Sequence, residues 1–256
     1  MLLSHEVPLC LLEKSREFND YEYCLAHKYI KDEQYKQFYL KSKELGRFII
    51  LDNSAHELRN EGYFDYKLFE KIIEELKPDV YIIPDEFNNK DKTLELAKEW
   101  VNKNLPGDSM GVIHGKTLIE MAECYYELDK ILPPTSMIGI NYDEGAYNEF
   151  LYSDNVSQNK SANRSHLIDL MLIINEKRKH HILGCHIPSD VMRYKPYEWI
   201  KTMDTSNPIM SGIEGIRYSN LMHDKPKANI DSCFYDSLTD KQFDDIMFNV
   251  NFLKKD

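Results

Sequence analysis

The sequence has no Cys-x-x-Cys pair, no apolar run long enough to span a bilayer, and no excess of positive charge. Each absence excludes something. The five cysteines, Cys10, Cys24, Cys124, Cys185 and Cys233, form an odd and scattered set. That argues against a disulfide framework or a structural zinc cluster and for a reduced, intracellular protein. The opening residues, Met1-Leu2-Leu3-Ser4-His5-Glu6, lack the basic stretch and long apolar run of a secretory leader. With no membrane-spanning run either, the expected location is the cytoplasm, with no membrane partner. The net charge is −11. A module whose main task is to grip nucleic acid is usually basic, because phosphate contacts dominate that affinity. An enzyme with a local basic path is still compatible with that charge. Arg164, the run Lys177-Arg178-Lys179 and Arg193 are the candidates for such a path. The run fits a solvated helix end equally well. Internal repeats, low-complexity tracts and Gly/Ser linkers are also missing, so residues 1–256 are expected to form a single domain.

What is present is a core. Hydrophobic residues make up 42% of the chain and charged residues 29%, a balance that folds rather than stays disordered. Short apolar runs occur at Val7–Leu12, Phe48–Leu51, Val80–Ile83, Met110–Ile113, Met137–Ile140, His181–Gly184, Trp199–Met203 and Ile209–Ile213. Helix-like segments lie between them at Asp32–Leu45, Tyr66–Leu76, Lys92–Lys103, Thr117–Ile131, Ser161–Lys177 and Asp190–Trp199. Residues 155–165 read as a polar loop, and Asp240–Asp256 as a final amphipathic helix. Alternation of this kind is the mark of βα units around a parallel sheet. Eight strand candidates in 256 residues predict an α/β fold, a (β/α)8 TIM barrel, which typically takes roughly 250 residues.

The strand candidates end on acids and amides. Asp52 and Asn53 follow the run at Phe48, and Asp85 and Glu86 the run at Val80. His114 and Gly115 follow Met110–Ile113; Asn141, Tyr142 and Asp143 follow Met137–Ile140; His186 and Asp204 close the last two units. In barrels of this kind the C-terminal strand ends carry the chemistry, and a carboxylate at a buried strand tip costs desolvation unless it is used or paired. Bland alternatives exist for each. Asp204 in Asp204-Thr205-Ser206-Asn207-Pro208 suits a turn or helix N-cap, Asp52 suits a cap, and Asp85-Glu86 suits a solvated loop. His114 suits a hydrogen-bonded interior histidine, and Cys185 a small buried hydrophobe.

Five short motifs fall in one order along the chain: Ile50-Leu51-Asp52-Asn53-Ser54, Ile83-Pro84-Asp85-Glu86-Phe87, Gly111-Val112-Ile113-His114-Gly115, Ile138-Gly139-Ile140-Asn141 and Met203-Asp204-Thr205-Ser206-Asn207-Pro208. In that order they resemble the tRNA-guanine transglycosylase (queuine tRNA-ribosyltransferase) superfamily over residues 48–215. The resemblance implies a pentosyl transfer that exchanges guanine for a 7-deazaguanine base. It implies Asp204 as the nucleophile on the ribose C1′ and Asp52 as the group that handles protons on the leaving and incoming bases. Asp85 is matched to the carboxylate that reads the base N1–H and amine, a bidentate contact. His114 and Gly115 are matched to a Gln-Gly pair near the base O6 and Gly139 to a close backbone approach, and Asn53, beside Asp52 at the mouth, is expected to bind substrate. The logic is that of a retaining glycosidase. No cofactor and no metal ligand are implied.

The departures from the family pattern point within it. The chain lacks the zinc-binding Cys/His insertion, His114 replaces glutamine, and Asp52-Asn53-Ser54-Ala55 stands where the family has Asp-Ser-Gly-Gly. These features resemble the compact phage-type branch that inserts 7-deazaguanines into DNA, and the Lys-, Asn-, Tyr- and Ile-rich composition fits an AT-rich coding sequence. The expected partner is therefore DNA, with tRNA as the alternative, and an accessory protein is one way an acidic chain could hold a polyanion. Two other classes stay open: a metal-dependent barrel hydrolase using Asp52, His56, Asp85, His114 and His186, and a non-catalytic barrel that binds a guanine-like base or a protein.

Overall fold

The computed structural model describes residues 1–58, 65–142, 145–171, 175, 177–219 and 230–254, with His56 described by its backbone alone. Among the described residues eight strands form one parallel sheet. They are β1 (Leu2–His5), β2 (Glu22–Leu25), β3 (Ile49–Asp52), β4 (Val80–Ile82), β5 (Asp108–Ile113), β6 (Met137–Ile140), β7 (His180–Ile182) and β8 (Ile200–Thr205). The helices, in chain order, are α1 (Leu12–Ser15), α2 (Ala26–Lys31), α3 (Glu33–Glu44), α4 (Ala55–Leu58), α5 (Tyr66–Leu76) and α6 (Lys90–Trp100). They continue as α7 (Leu118–Ile131), α8 (Val156–Met171), α9 (Ser189–Tyr194), α10 (Asn207–Ile213) and α11 (Asp240–Lys254). The strand order is β1-β8-β7-β6-β5-β4-β3-β2, a nearly closed (β/α)8 barrel in one domain.

The helices form where spacing and caps agree. In α5, Phe69, Ile72, Ile73 and Leu76 recur at helical spacing and are buried, and the Asp65 side chain caps the start by accepting from Leu68 N at 3.0 Å. Asp32, Asn89 and Thr117 cap α3, α6 and α7 in the same way. Strand side chains alternate between two layers. Ile49, Leu51, Ile113, Ile140, Ile182 and Met203 point outward into the helix layer. Tyr21, Tyr23, Leu25, Ile50, Ile82, Val112 and Leu183 fill the interior.

The barrel is closed at one place by side chains instead of a ladder. β1 and β2 are the two ends of the strand order. Between them, Asp20 exchanges bonds with Leu3 (Leu3 N to Asp20 Oδ2, 2.9 Å; Asp20 N to Leu3 O, 2.9 Å). Asn19 does the same for His5: Oδ1 accepts from His5 N at 2.8 Å and Nδ2 donates to His5 O at 3.2 Å. The amide of Asn19 thus satisfies the edge of β1 as a strand would.

Several expectations are corrected. Val7–Leu12 is a single helical turn at Leu9–Leu11 followed by α1. Pro8 has no N–H for a ladder, and Leu9 N donates instead to Phe234 O at 2.8 Å. The first two strands are Leu2–His5 and Glu22–Leu25, whose polar residues hide them from an apolar-run search. Ile209–Ile213 lies in α10, where Pro208 occupies the first turn and favours a helix start. Residues 156–160, expected as loop ahead of a helix from Ser161, already belong to α8, which starts at Val156. No described helix is long and apolar enough to cross a membrane.

Candidate active site at the barrel mouth

Inward alternation on the strands delivers one polar ring at their C-terminal ends. Asp52 is the last residue of β3, Asp204 is the fifth of β8, His114 follows β5, Asn141 follows β6, and Asp85 lies three residues beyond β4. With Tyr23, Glu6, Glu57, Phe87 and Gly184 they line a narrow cleft of ≈ 80 Å³ that opens to solvent.

Asp52 and Asp204 share this pocket but sit in different surroundings. The Tyr23 hydroxyl donates to Asp52 Oδ2 and the Ser54 backbone N–H to Oδ1. Burial, and after it the nearby Glu57 carboxylate, push the Asp52 carboxyl well above the usual carboxylate range. The Tyr23 and Ser54 bonds pull the other way, and Asp204 adds a further upward push. Asp204 is buried inside the barrel and is no helix cap. Its Oδ1 accepts from the Gly184 backbone N–H at 3.1 Å and lies 3.0 Å from His181 Nε2.

Asp85 faces the pocket, with its side chain only 7% exposed, while Glu86 turns out to solvent. Its Oδ2 is 2.6 Å from His114 Nε2, and its Oδ1 accepts from Asn53 Nδ2 at 2.9 Å. Asn53 also donates to Ile83 O at 2.8 Å and accepts from Ala55 N at 2.8 Å, so it ties the ends of β3 and β4 together. Behind His114, Asn141 Nδ2 stands 3.4 Å from its Nδ1, and the Tyr147 hydroxyl donates to Asn141 Oδ1 at 2.8 Å.

The two expected glycines do not line the pocket. A β-carbon at Gly139 would stand 2.9 Å from Leu183 Cδ1 and 3.0 Å from Val112 Cγ2. Glycine there lets the pocket floor close over the barrel interior. A β-carbon at Gly115 would stand 2.7 Å from Met121 N, so that glycine seats the loop on the first turn of α7. His186 stacks on Tyr142 with centroids 4.3 Å apart and lies behind the wall. The side chain of His56 and all of Asp143 fall outside the described residues.

The proposed basic path is also corrected in part. Arg164 is fully buried and pairs with Asp190 at 2.9 Å. Arg178 is buried against Asp129 at 2.6 Å and against the carbonyls of Pro133 and Ser136. Lys177, Lys179 and Arg193 are exposed, and no Lys or Arg is among the described residues that line the pocket. Among the described residues no three His, Cys, Asp or Glu side chains gather as a metal-binding group. Cys185 is buried as a small apolar residue.

Sequence reasoning missed Tyr23 and His181. The alternation Tyr21-x-Tyr23-x-Leu25 was the available signal for Tyr23. His181 was legible only as half of a His180-His181 pair entering a strand. Comparison with known proteins gave no match, either to a family model or to a curated protein.

Proposed function

We propose that the protein is a guanine transglycosylase that exchanges guanine for a 7-deazaguanine derivative in DNA. The observation that carries the reading is the pair of unlike carboxylates in one pocket. Asp52 is pushed toward its neutral, proton-bearing form, while Asp204 is held by two groups placed to donate to a carboxylate. Divergent environments for paired carboxyl groups separate an acid from a nucleophile.

The reaction balances on these two groups. Asp204 forms a bond from oxygen to the sugar C1′ as the bond from C1′ to the guanine ring nitrogen breaks. The departing base keeps the electron pair and takes the Asp52 proton. The incoming 7-deazaguanine gives its ring N–H proton to Asp52, its nitrogen bonds to C1′, and Asp204 leaves as a carboxylate. Two displacements retain configuration. Asp85, held from both sides by Asn53 and His114, keeps acceptor capacity toward the pocket for a base edge bearing N–H donors. No Lys or Arg is among the described residues that line the pocket, and the reading assigns the phosphates to residues outside it or to an accessory protein.

The test is base exchange. Purified protein is incubated with guanine-containing DNA, and in parallel with tRNA, and a panel of 7-deazaguanines, followed by digestion to nucleosides and mass spectrometry. A modified deoxynucleoside that is lost in Asp204→Asn supports the proposal. Incorporation into tRNA alone moves the same chemistry to the other nucleic acid, and incorporation into neither overturns it.

A further inference from the structure

We infer that His181 is the positioning residue for Asp204 and that Asp204 Oδ2 is the oxygen that attacks; this rests on the transglycosylase reading above. Both contacts to Asp204 fall on one oxygen: His181 Nε2 at 3.0 Å and Gly184 N at 3.1 Å reach Oδ1. Among the described residues no hydrogen bond reaches Oδ2, and Asp204 lines the pocket. One oxygen is anchored and the other is presented.

The anchor is itself fixed. A nucleophilic carboxylate is ionised and only accepts, so His181 Nε2 carries the proton toward it, and Nδ1 pairs with the Thr202 hydroxyl 2.8 Å away. The ring face is covered by Tyr23, with centroids 5.5 Å apart and planes 14° from parallel. The second donor is fixed from behind. Arg164 Nη1 donates at 2.9 Å to Leu183 O, the carbonyl of the same peptide whose N–H reaches Asp204. A buried guanidinium thus orients and polarises that peptide toward the carboxylate.

The asymmetry has a chemical use. When Oδ2 bonds to C1′, Oδ1 becomes an ester carbonyl that keeps both donors. When the ester breaks, the electron pair of the C1′–Oδ2 bond returns to the carboxylate, and the donors at Oδ1 receive the charge. They are aimed at charge that develops as the second displacement proceeds. His181 therefore acts mainly on release of the intermediate.

The test compares wild type with His181→Phe, which keeps a ring against Tyr23 and loses the donor, and with His181→Gln, which restores an N–H. Two readouts are taken: turnover, and the level of covalent protein–nucleic acid adduct. The expected result for His181→Phe is turnover lower by about ten- to hundredfold, the effect of losing one charge-assisted donor. Adduct should rise, and His181→Gln should recover part of each. If His181→Phe does not fold, Thr202→Val, which frees the ring at Nδ1, is expected to move the same readouts in the same direction by less. Unchanged turnover and adduct in a folded variant, beside a wild type that exchanges base, overturn the inference and leave the transglycosylase reading standing. A wild type that forms no adduct and exchanges no base sinks the transglycosylase reading and the inference with it.

Discussion

The ring of Tyr23 lies nearly parallel to that of His181, with centroids 5.5 Å apart. Tyr23 donates to Asp52 and His181 contacts Asp204, so one stacked pair touches both carboxyl groups of the site. Burial, then Asp52 and Asp204 in turn, push the Tyr23 phenol well above its ordinary value, which keeps it a donor across the working pH range.

Tyr23→Phe should keep the stack and remove the donor. That bond lowers the Asp52 pKa, so its loss moves Asp52 still higher. On the proposed mechanism guanine departure needs protonated Asp52, so the rate should fall as pH rises through its pKa. The alkaline limb of kcat/KM against pH should therefore move to higher pH. A limb that stays in place would show that Asp52 does not set it.

Asp52→Asn should stabilise the fold while ending exchange. The unfolded chain loses this proton near pH ~4, whereas the folded chain keeps it to higher pH. Stability is full below the unfolded value and is lost as pH rises toward the folded one. Asparagine cannot ionise, and it preserves both contacts if the Tyr23 hydroxyl turns acceptor. The expected melting temperature matches wild type near pH 4 and exceeds it at pH 8, by about 2–4 °C for each kcal/mol recovered. Thermal scans at the two pH values check this; equal curves would mean that Asp52 carries no such cost.

Arg164→Met takes the guanidinium from the fully buried Asp190 carboxylate and leaves it held by the Ser161 hydroxyl and the His186 backbone N–H alone among the described residues. The expected loss is about 3–5 kcal/mol by urea unfolding. Arg164→Met combined with Asp190→Leu should recover much of it, because the uncompensated charge is then gone. A single-variant loss under about 1 kcal/mol would contradict the pairing.

Acid should unfold the protein partly through two histidines. Burial pushes His5 and His180 down to about 4, against about 6.5 in the unfolded chain. Both are neutral in the fold and gain protons on unfolding. Their contribution is present above pH ~6.5 and is lost as pH falls toward 4, on the order of a few kcal/mol together. Unfolding free energy should drop steeply across that window in wild type and less in the variant carrying His5→Gln and His180→Gln.

The middle and end of the barrel were legible because strands such as Val80–Ile82 and Met137–Ile140 are unbroken apolar runs, bounded by helices with side-chain caps. β1 and β2 were not. Ser4 turns away from the helix layer in β1, and Glu22 is buried only because Arg47 meets it at 2.9 Å from 25 residues away. Asp52, Asn53, Asp85, His114 and Asp204 converge on one pocket as their strand-tip positions implied. Tyr23 and His181 were missed because their partners come from strands far apart in sequence, which only barrel closure brings together. Gly115 and Gly139 looked like ligand contacts because close approach leaves the same mark in sequence whether the neighbour is a base, a helix turn or a leucine.

The Asn19–Asp20 closure divides the barrel between Asp204 and Asp52. Asp204 belongs to β8, which pairs with β1; Asp52 belongs to β3, which pairs with β2. The shorter way round from one acid to the other crosses the single unladdered joint. The barrel is in that sense a split ring with a side-chain clasp, and its two jaws carry the two halves of the proposed chemistry. Only this clasp, a few amide and carboxylate bonds, would have to yield for the gap between the two acids to change with every strand ladder intact.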